Sequence, residues 1–463
     1  MTTATGQAFY TPESYAQRDR IVGNAVSESP WRSYSVWMSG AWLLVVFILM
    51  LHEPPGNAAK YAELEMGKGV DDRAEFESNV NSAPTMRKVG FVMLIALGGF
   101  SLVTSQRRLK VTNYPLLISA LLLATWTYGS VVWSHFPRET MLELIRLSGW
   151  VLVALGLARK HNSNELAVIM FIVVTGAVAA AVATDLLTGD FRPWQSAYRM
   201  TGTLHPNGLA DNAALMAVIA TYFLITSDKR HYGWLVIVAI GFAVVALTKS
   251  RNGLMCFFVG IYVLSIIGQP IGGFFKAIAF SMVAVGLFMI ASGVVTESQK
   301  RSVIHSATMG RGTDAKLSGR SDLWRTIVTM TGNDRTKGVG YGAFFVTKRV
   351  ERLGKMLRWF PHHAHNAYLE VLATLGWVGL GIGLTTAVLA FFECLKRVKR
   401  DQDIGFRLFA AMIVLGAVQG YLCVAYIHAR GFLSLSAAIV FSCIFIASQV
   451  ADKRHNPLAT PLT

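Results

Sequence analysis

The chain has 463 residues, 53% of them hydrophobic and only 15% charged, with 43 Lys and Arg against 27 Asp and Glu for a formal charge of +16. A mean hydropathy of +0.44 excludes a string of ordinary soluble domains and predicts an all-α polytopic membrane protein. The positive charge must then be divided between two membrane faces, so it does not argue for a nucleic-acid partner.

Apolar runs recur along the chain at the length needed to cross a bilayer core, roughly 20 residues for about 30 Å. They predict about twelve spans, at 35–51, 89–104, 114–133, 140–157, 166–183, 208–226, 233–248, 252–268, 273–294, 366–393, 407–425 and 432–450. The N-terminus lacks a basic stub followed at once by an apolar stretch, so no cleavable signal peptide is expected. The expected organisation is a cytoplasmic tail over 1–34, nine helices within 35–294, a large periplasmic loop over 295–365, three helices within 366–450 and a cytoplasmic tail over 451–463.

One set of connectors carries Arg107, Arg108 and Lys110, then Arg159 and Lys160, Lys229 and Arg230, Lys396, Arg397, Lys399 and Arg400, and Lys453 and Arg454. The positive-inside rule makes this set cytoplasmic. The opposite set contains residues 52–86, with seven acidic and three basic side chains, together with 134–139, 186–207 and the long stretch 295–365. That last stretch breaks the rule: thirteen basic against five acidic side chains give it a net charge of +8. Long loops translocate largely regardless of charge, so parity still places it outside. Trp324, Ile327, Val328 and Thr331, and then Val350, Leu353, Met356 and Leu357, recur at helical spacing and predict short amphipathic helices at the membrane mouth. A basic cap over a cavity suits phosphate or pyrophosphate carried on a lipid, while a solvated face or contact with anionic headgroups is the plainer reading.

The four cysteines, Cys256, Cys394, Cys423 and Cys443, lie in apolar runs without metal-type spacing and read as small core residues. Trp126, Trp133 and Trp150 read as interfacial or lipid-facing packing, and Glu143 with Arg146, three apart, as a mutually neutralising pair. Gly338-Val339-Gly340-Tyr341-Gly342 neither follows a strand nor opens a dinucleotide-type helix and reads as a turn, so no nucleotide cofactor is expected.

Polar chemistry concentrates at three places. Thr248-Lys249-Ser250-Arg251-Asn252 makes a tight turn in which Lys249 and Arg251 are costly without an anion. Arg199 to Asn207 precedes a span, with Pro206 suited to a first helical turn and Asn207 on one face with Asp211, an acid inside the membrane boundary that could equally be structural. The third place is Pro361-His362-His363-Ala364-His365-Asn366, where the long loop re-enters the membrane. Histidine can take a proton near neutral pH and Asn366 can orient a ring or a hydroxyl. Helix capping and a metal site completed by Glu370 are the competing readings; a metal is not expected, since the cluster itself holds no acid.

The order Arg199-x-Thr201-Gly202-Thr203-x-x-Pro206-Asn207, Ser250-Arg251, Gly319-Arg320-Ser321-Asp322-Leu323-Trp324, Gly338-Val339-Gly340 and His365-Asn366 resembles the O-antigen ligase and polymerase superfamily of Gram-negative bacteria. Its most specific part is His365-Asn366 followed nine residues later by Gly376-Trp377-Val378-Gly379, and the likeness extends over roughly 90–450. The resemblance implies transfer of a glycan from undecaprenyl pyrophosphate to a sugar hydroxyl of lipid A core on the periplasmic face, without nucleotide sugar or required metal. It makes His365 the leading general base with His363 in reserve, and Arg199, Arg251 and Arg320 the pyrophosphate clamps, with Lys249, Asn366 and Asn207 as further substrate contacts. A polymerase using a second lipid-linked glycan as acceptor is the nearest rival. A lipid-linked glycan transporter is the more distant one, since it would show repeats and polar breaks at the membrane midplane.

Overall fold

The computed structural model describes residues 29–51, 84–105, 109–195, 198–226, 232–267, 320–357, 359–401, 403–421 and 433–445. The expected ninth span, the 295–319 part of the long loop, nearly all of the acidic 52–86 segment, Cys423, residues 451–463 and most of 1–34 lie outside them. The described residues fold into α-helices: α1 (Tyr34–Leu51), α2 (Pro84–Thr104), α3 (Tyr114–Gly129), α4 (Pro137–Lys160), α5 (Ser163–Leu187), α6 (Pro206–Thr226), α7 (Gly233–Leu247), α8 (Arg251–Ile266), α9 (Arg320–Thr331), α10 (Thr347–Leu357), α11 (Ala367–Lys396), α12 (Gly405–Gly420) and α13 (Leu433–Phe445). Each described span expected from the sequence is one of these helices.

Four helices, α4, α5, α6 and α11, are long and apolar enough by length and composition to cross a membrane, and seven shorter apolar helices accompany them among the described residues. Large apolar side chains such as Val92, Leu121, Leu122, Val236 and Phe392 are more than half exposed around the bundle. An apolar exterior of this kind suits lipid as solvent, and the protein is a multi-pass membrane protein. Inside, α6 is the central helix: 15 of its 21 residues are buried, and α5, α7 and α8 pack around it. Further layers pair α1 with α2 and α5, α2 with α4, α3 with α11, and α12 with α8 and α11.

The connectors sort to two ends. At one end, the His135 N–H donates to the Val339 carbonyl at 3.0 Å, Tyr341 N–H to Ser130 Oγ at 3.0 Å, and Met200 N–H to the Leu247 carbonyl at 3.0 Å. At the other, Ser163 Oγ donates to Asp403 at 2.6 Å and Arg407 Nε to the Leu264 carbonyl at 3.0 Å. Arg397 belongs to this second end but is no free loop charge. It is 2% exposed, bonded to Glu393 at 3.1 Å and to the Cys443 carbonyl at 2.9 Å, with its guanidinium over Phe406. An arginine buried there must be paired, so Arg397 drops out of the charge asymmetry read from the sequence.

Two helices do form in the long loop. Leu323, Ile327 and Thr331 bury one face of α9, and Val350 and Leu353 one face of α10. Arg349 anchors α10 to the α3–α4 connection, donating to His135 Nδ1 at 2.6 Å, while His135 Nε2 meets Asp334 at 3.2 Å.

The 30-residue α11 is broken at Gly376, whose φ of +71° is left-handed and whose missing Cβ leaves room for the Thr336 carbonyl. Carbonyls freed by the break must find donors elsewhere. Ala373 accepts from Val339 N–H and Thr374 from Gly340 N–H, each at 3.0 Å, and Leu375 accepts from Trp126 Nε1 at 2.8 Å. The glycine-rich turn is therefore a plug for a helix break. Trp126 and Trp133, expected in interfacial or lipid-facing packing, donate their indole N–H groups to the Leu375 and Lys337 carbonyls, and Trp150, expected there too, is 3% exposed. Twenty residues from Trp377 to Lys396 span about 30 Å at 1.5 Å per residue, which places the break at the edge of an apolar layer and not at its middle.

Candidate active site

Asn366 is the N-cap of α11: its Oδ1 accepts from Leu369 N–H at 2.9 Å and its Nδ2 donates to the Tyr421 carbonyl at 3.1 Å. The side chain is 4% exposed, so the structure gives it a cap and a tie to the end of α12 where the sequence suggested a substrate contact.

The preceding residues are held in a set shape. Ala364 is fully buried; its N–H donates to Glu370 Oε2 at 2.8 Å and its carbonyl accepts from Trp324 Nε1 at 2.9 Å. His365 N–H donates to His363 Nδ1 at 3.3 Å, and the two rings meet edge to face with centroids 4.0 Å apart. His363 is thus a brace whose Nδ1 is occupied as an acceptor. His365 itself has φ +50°. Among the described non-glycine residues only Lys249, at φ +51°, shares that left-handed backbone, which costs about 1–3 kcal/mol and concentrates at functional sites.

His365 draws the other motifs together electrostatically. Its imidazole is pushed down to about 3, first by burial and then by the charge of Arg320 and the neighbouring rings of His205 and His362. Arg320, at the start of α9, and His205, at the start of α6, therefore act on one ring. His205 caps α6 by accepting the Asn207 N–H on its Nδ1 at 3.2 Å; Asn207 contributes its backbone there.

A second nest adjoins the first through residues 199–205. Arg199 is 7% exposed and its Nε donates to the Thr248 carbonyl at 3.0 Å, which fixes it against the Lys249 turn. Arg251 opens α8 beside that turn and is exposed. Asp185, near the end of α5, organises the 198–202 segment, accepting from Tyr198 Oη at 2.9 Å and Gly202 N–H at 2.8 Å. Asp211 does not face a ligand through both oxygens: Oδ1 accepts from Asn252 Nδ2 at 3.1 Å, joining α6 to α8. Glu143 and Arg146 form the expected ion pair. The sequence reading missed Glu370 as a backbone acceptor, Asp185 as a loop organiser and His205 as a neighbour of His365. For His205, its place between Thr203 and Pro206 in the 199–207 motif was the available signal.

Part of the chain is similar to known proteins. Residues 215–383 match the family model described as O-Antigen ligase. The match takes in α9, α10, the histidine cluster and the break at Gly376. The chain is also 33% identical over 98 residues to the exopolysaccharide production protein ExoQ of Rhizobium meliloti (strain 1021). That alignment covers 20% of this chain and 22% of the relative's length. Residues 215–383 thus carry the likeness to the O-antigen ligase family, and the relative supports a place in the wider O-antigen ligase and polymerase superfamily.

Proposed function

We propose that the protein is an O-antigen ligase of the inner membrane, with its site on the periplasmic face, that moves a glycan from undecaprenyl pyrophosphate to a sugar hydroxyl of lipid A core. The observation that carries this reading is that Arg320 and His205 both act electrostatically on His365, beside the N-cap of α11, with Arg320 and His365 inside the segment that matches the family. Arg320, Arg199, Arg251 and Lys249 bind the pyrophosphate, whose charge offsets theirs. His365 takes the proton of the acceptor hydroxyl as its oxygen bonds to the anomeric carbon; the bond from that carbon to the pyrophosphate oxygen breaks, and undecaprenyl pyrophosphate leaves with the electron pair. One displacement inverts the anomeric centre. The donor is already activated, so the reaction calls on neither a nucleotide nor a metal.

His365 is neutral before substrate binds, which is the form a base requires. A pKa of about 3 is too low for an effective base, since efficiency is greatest when the pKa lies near the working pH. Pyrophosphate bound at Arg320 offsets that arginine's charge, the second cause of the depression after burial, and so raises the ring from its depressed value. The donor thereby strengthens the base.

The likeness to an exopolysaccharide production protein favours one second reading, a polymerase whose acceptor is another lipid-linked glycan. Lipopolysaccharide from a deletion strain separates the two. Loss of long capped chains with lipid-linked polymer accumulating supports the ligase; a single capped repeat supports the polymerase.

A further inference from the structure

Glu370 is 6% exposed in the first turn of α11, and a carboxylate in such a place needs a defined partner. Its Oε2 holds the Ala364 N–H at 2.8 Å. On the far side of Ala364, Trp324 Nε1 holds the carbonyl at 2.9 Å. The peptide planes before and after Ala364 are therefore both clamped, and the next residue, His365, leaves them in a left-handed conformation that the chain does not adopt without restraint. Glu370 donates nothing to the His365 ring, and the groups acting on that ring are Arg320, His205 and His362.

We infer that Glu370 is a positioning residue for His365, aiming its ring by holding the Ala364 N–H, and that it acts through the reach of its oxygen and not through its charge. This rests on His365 being the base. Two substitutions separate reach from charge: Glu370→Gln keeps an oxygen at the same distance and cannot carry a charge, whereas Glu370→Asp keeps the carboxyl group and falls one methylene short.

The test is transfer by the purified full-length protein from lipid-linked glycan to lipid A core, with hydrogen exchange measured at the Ala364 amide. The glutamine variant should keep kcat within about threefold, because a side-chain amide oxygen still accepts the bond. The aspartate variant should lose roughly 10- to 100-fold in kcat with donor KM nearly unchanged, the scale of a small misplacement of a catalytic group, and exchange at Ala364 should quicken in that variant alone. Glu370→Met gives the same reading should the aspartate protein not accumulate. Loss of kcat in the glutamine variant with near-native transfer by the aspartate variant would overturn the proposal in favour of a charge effect, and equal loss in both would overturn it by showing that the reach of the oxygen is not what matters. Faster exchange at Ala364 with undiminished kcat would overturn it as well, by showing a clamp that does not serve the reaction. His365→Ala reports separately on the base, so failure of that assignment is distinguishable from failure of the clamp.

Discussion

Trp324 Nε1 donates to the carbonyl oxygen of Ala364 at 2.9 Å, four residues along α9 from Arg320 and one residue before His365. Residues four apart share a helix face, so this bond also sets where Arg320 stands relative to the imidazole. Trp324→Phe keeps most of the ring's packing and removes the donor. A net loss of about 1 kcal/mol in stability is expected, with a larger proportional fall in kcat. Thermal unfolding beside a transfer assay checks this; a variant that loses stability but keeps full kcat shows that the bond serves the fold alone.

Gly376→Ala should be among the most damaging single changes. A Cβ there would lie 2.2 Å from the Thr336 carbonyl oxygen, on a backbone with φ +71°. The left-handed conformation alone costs about 1–3 kcal/mol, and Thr336 belongs to the turn that plugs the break. Loss of monodisperse protein on size exclusion is the expected outcome, and a native-like melting profile would show that the break is not required.

The spans were legible because uninterrupted apolar runs of bilayer length seldom occur in chains that fold in water. The break was not, since the apolar run continues through Gly376 and nothing in its composition marks a change of direction. Lys249 and His365 were legible as polar residues at the ends of apolar runs, though their left-handed backbone was not. Glu370 and Asp185 escaped notice as site organisers because one acid in an apolar helix carries no periodicity. Their partners, the N–H groups of Ala364 and Gly202, are backbone atoms present at almost every position. The indole bonds of Trp126 and Trp133 were hidden because tryptophan at a helix end is read equally well as an interfacial residue.

The pH dependence follows from the direction of the His365 shift. A histidine held below its ordinary value is neutral in the folded protein, while the unfolded chain takes up a proton below about pH 6.5. Its contribution to stability is complete above that pH and is lost progressively as the pH falls toward about 3. The free-enzyme profile of kcat/KM should show no His365 limb near 6.5. Added inorganic pyrophosphate should raise the His365 pKa in an NMR titration, and a pKa that stays fixed on binding contradicts donor-induced activation.

Arg320→Lys and Arg199→Lys test the clamp. Lysine keeps the charge but not the fork, so bidentate recognition of phosphate is lost. Each change should lower kcat/KM by roughly 10-fold or more, as expected for losing a charge-assisted bond worth about 1.5–3 kcal/mol. Near-native values for both would place the pyrophosphate elsewhere.

Orientation is tested at Asn333, an exposed residue in the turn after α9. Asn333→Cys should react with a membrane-impermeant thiol reagent in intact spheroplasts. Protection there with labelling in inverted vesicles would reverse the proposed sidedness.

The most direct measurement is transfer by purified His365→Ala, run beside His363→Ala. General-base help is typically worth roughly 100- to 10,000-fold, so the His365 variant should fall by that order while remaining folded in detergent. His363 braces the loop through its Nδ1, and its variant should lose far less. Near-native transfer by His365→Ala with an inactive His363→Ala would move the base to the other ring. If both variants stay active, histidine is not the base, and the account of proton removal from the acceptor is wrong.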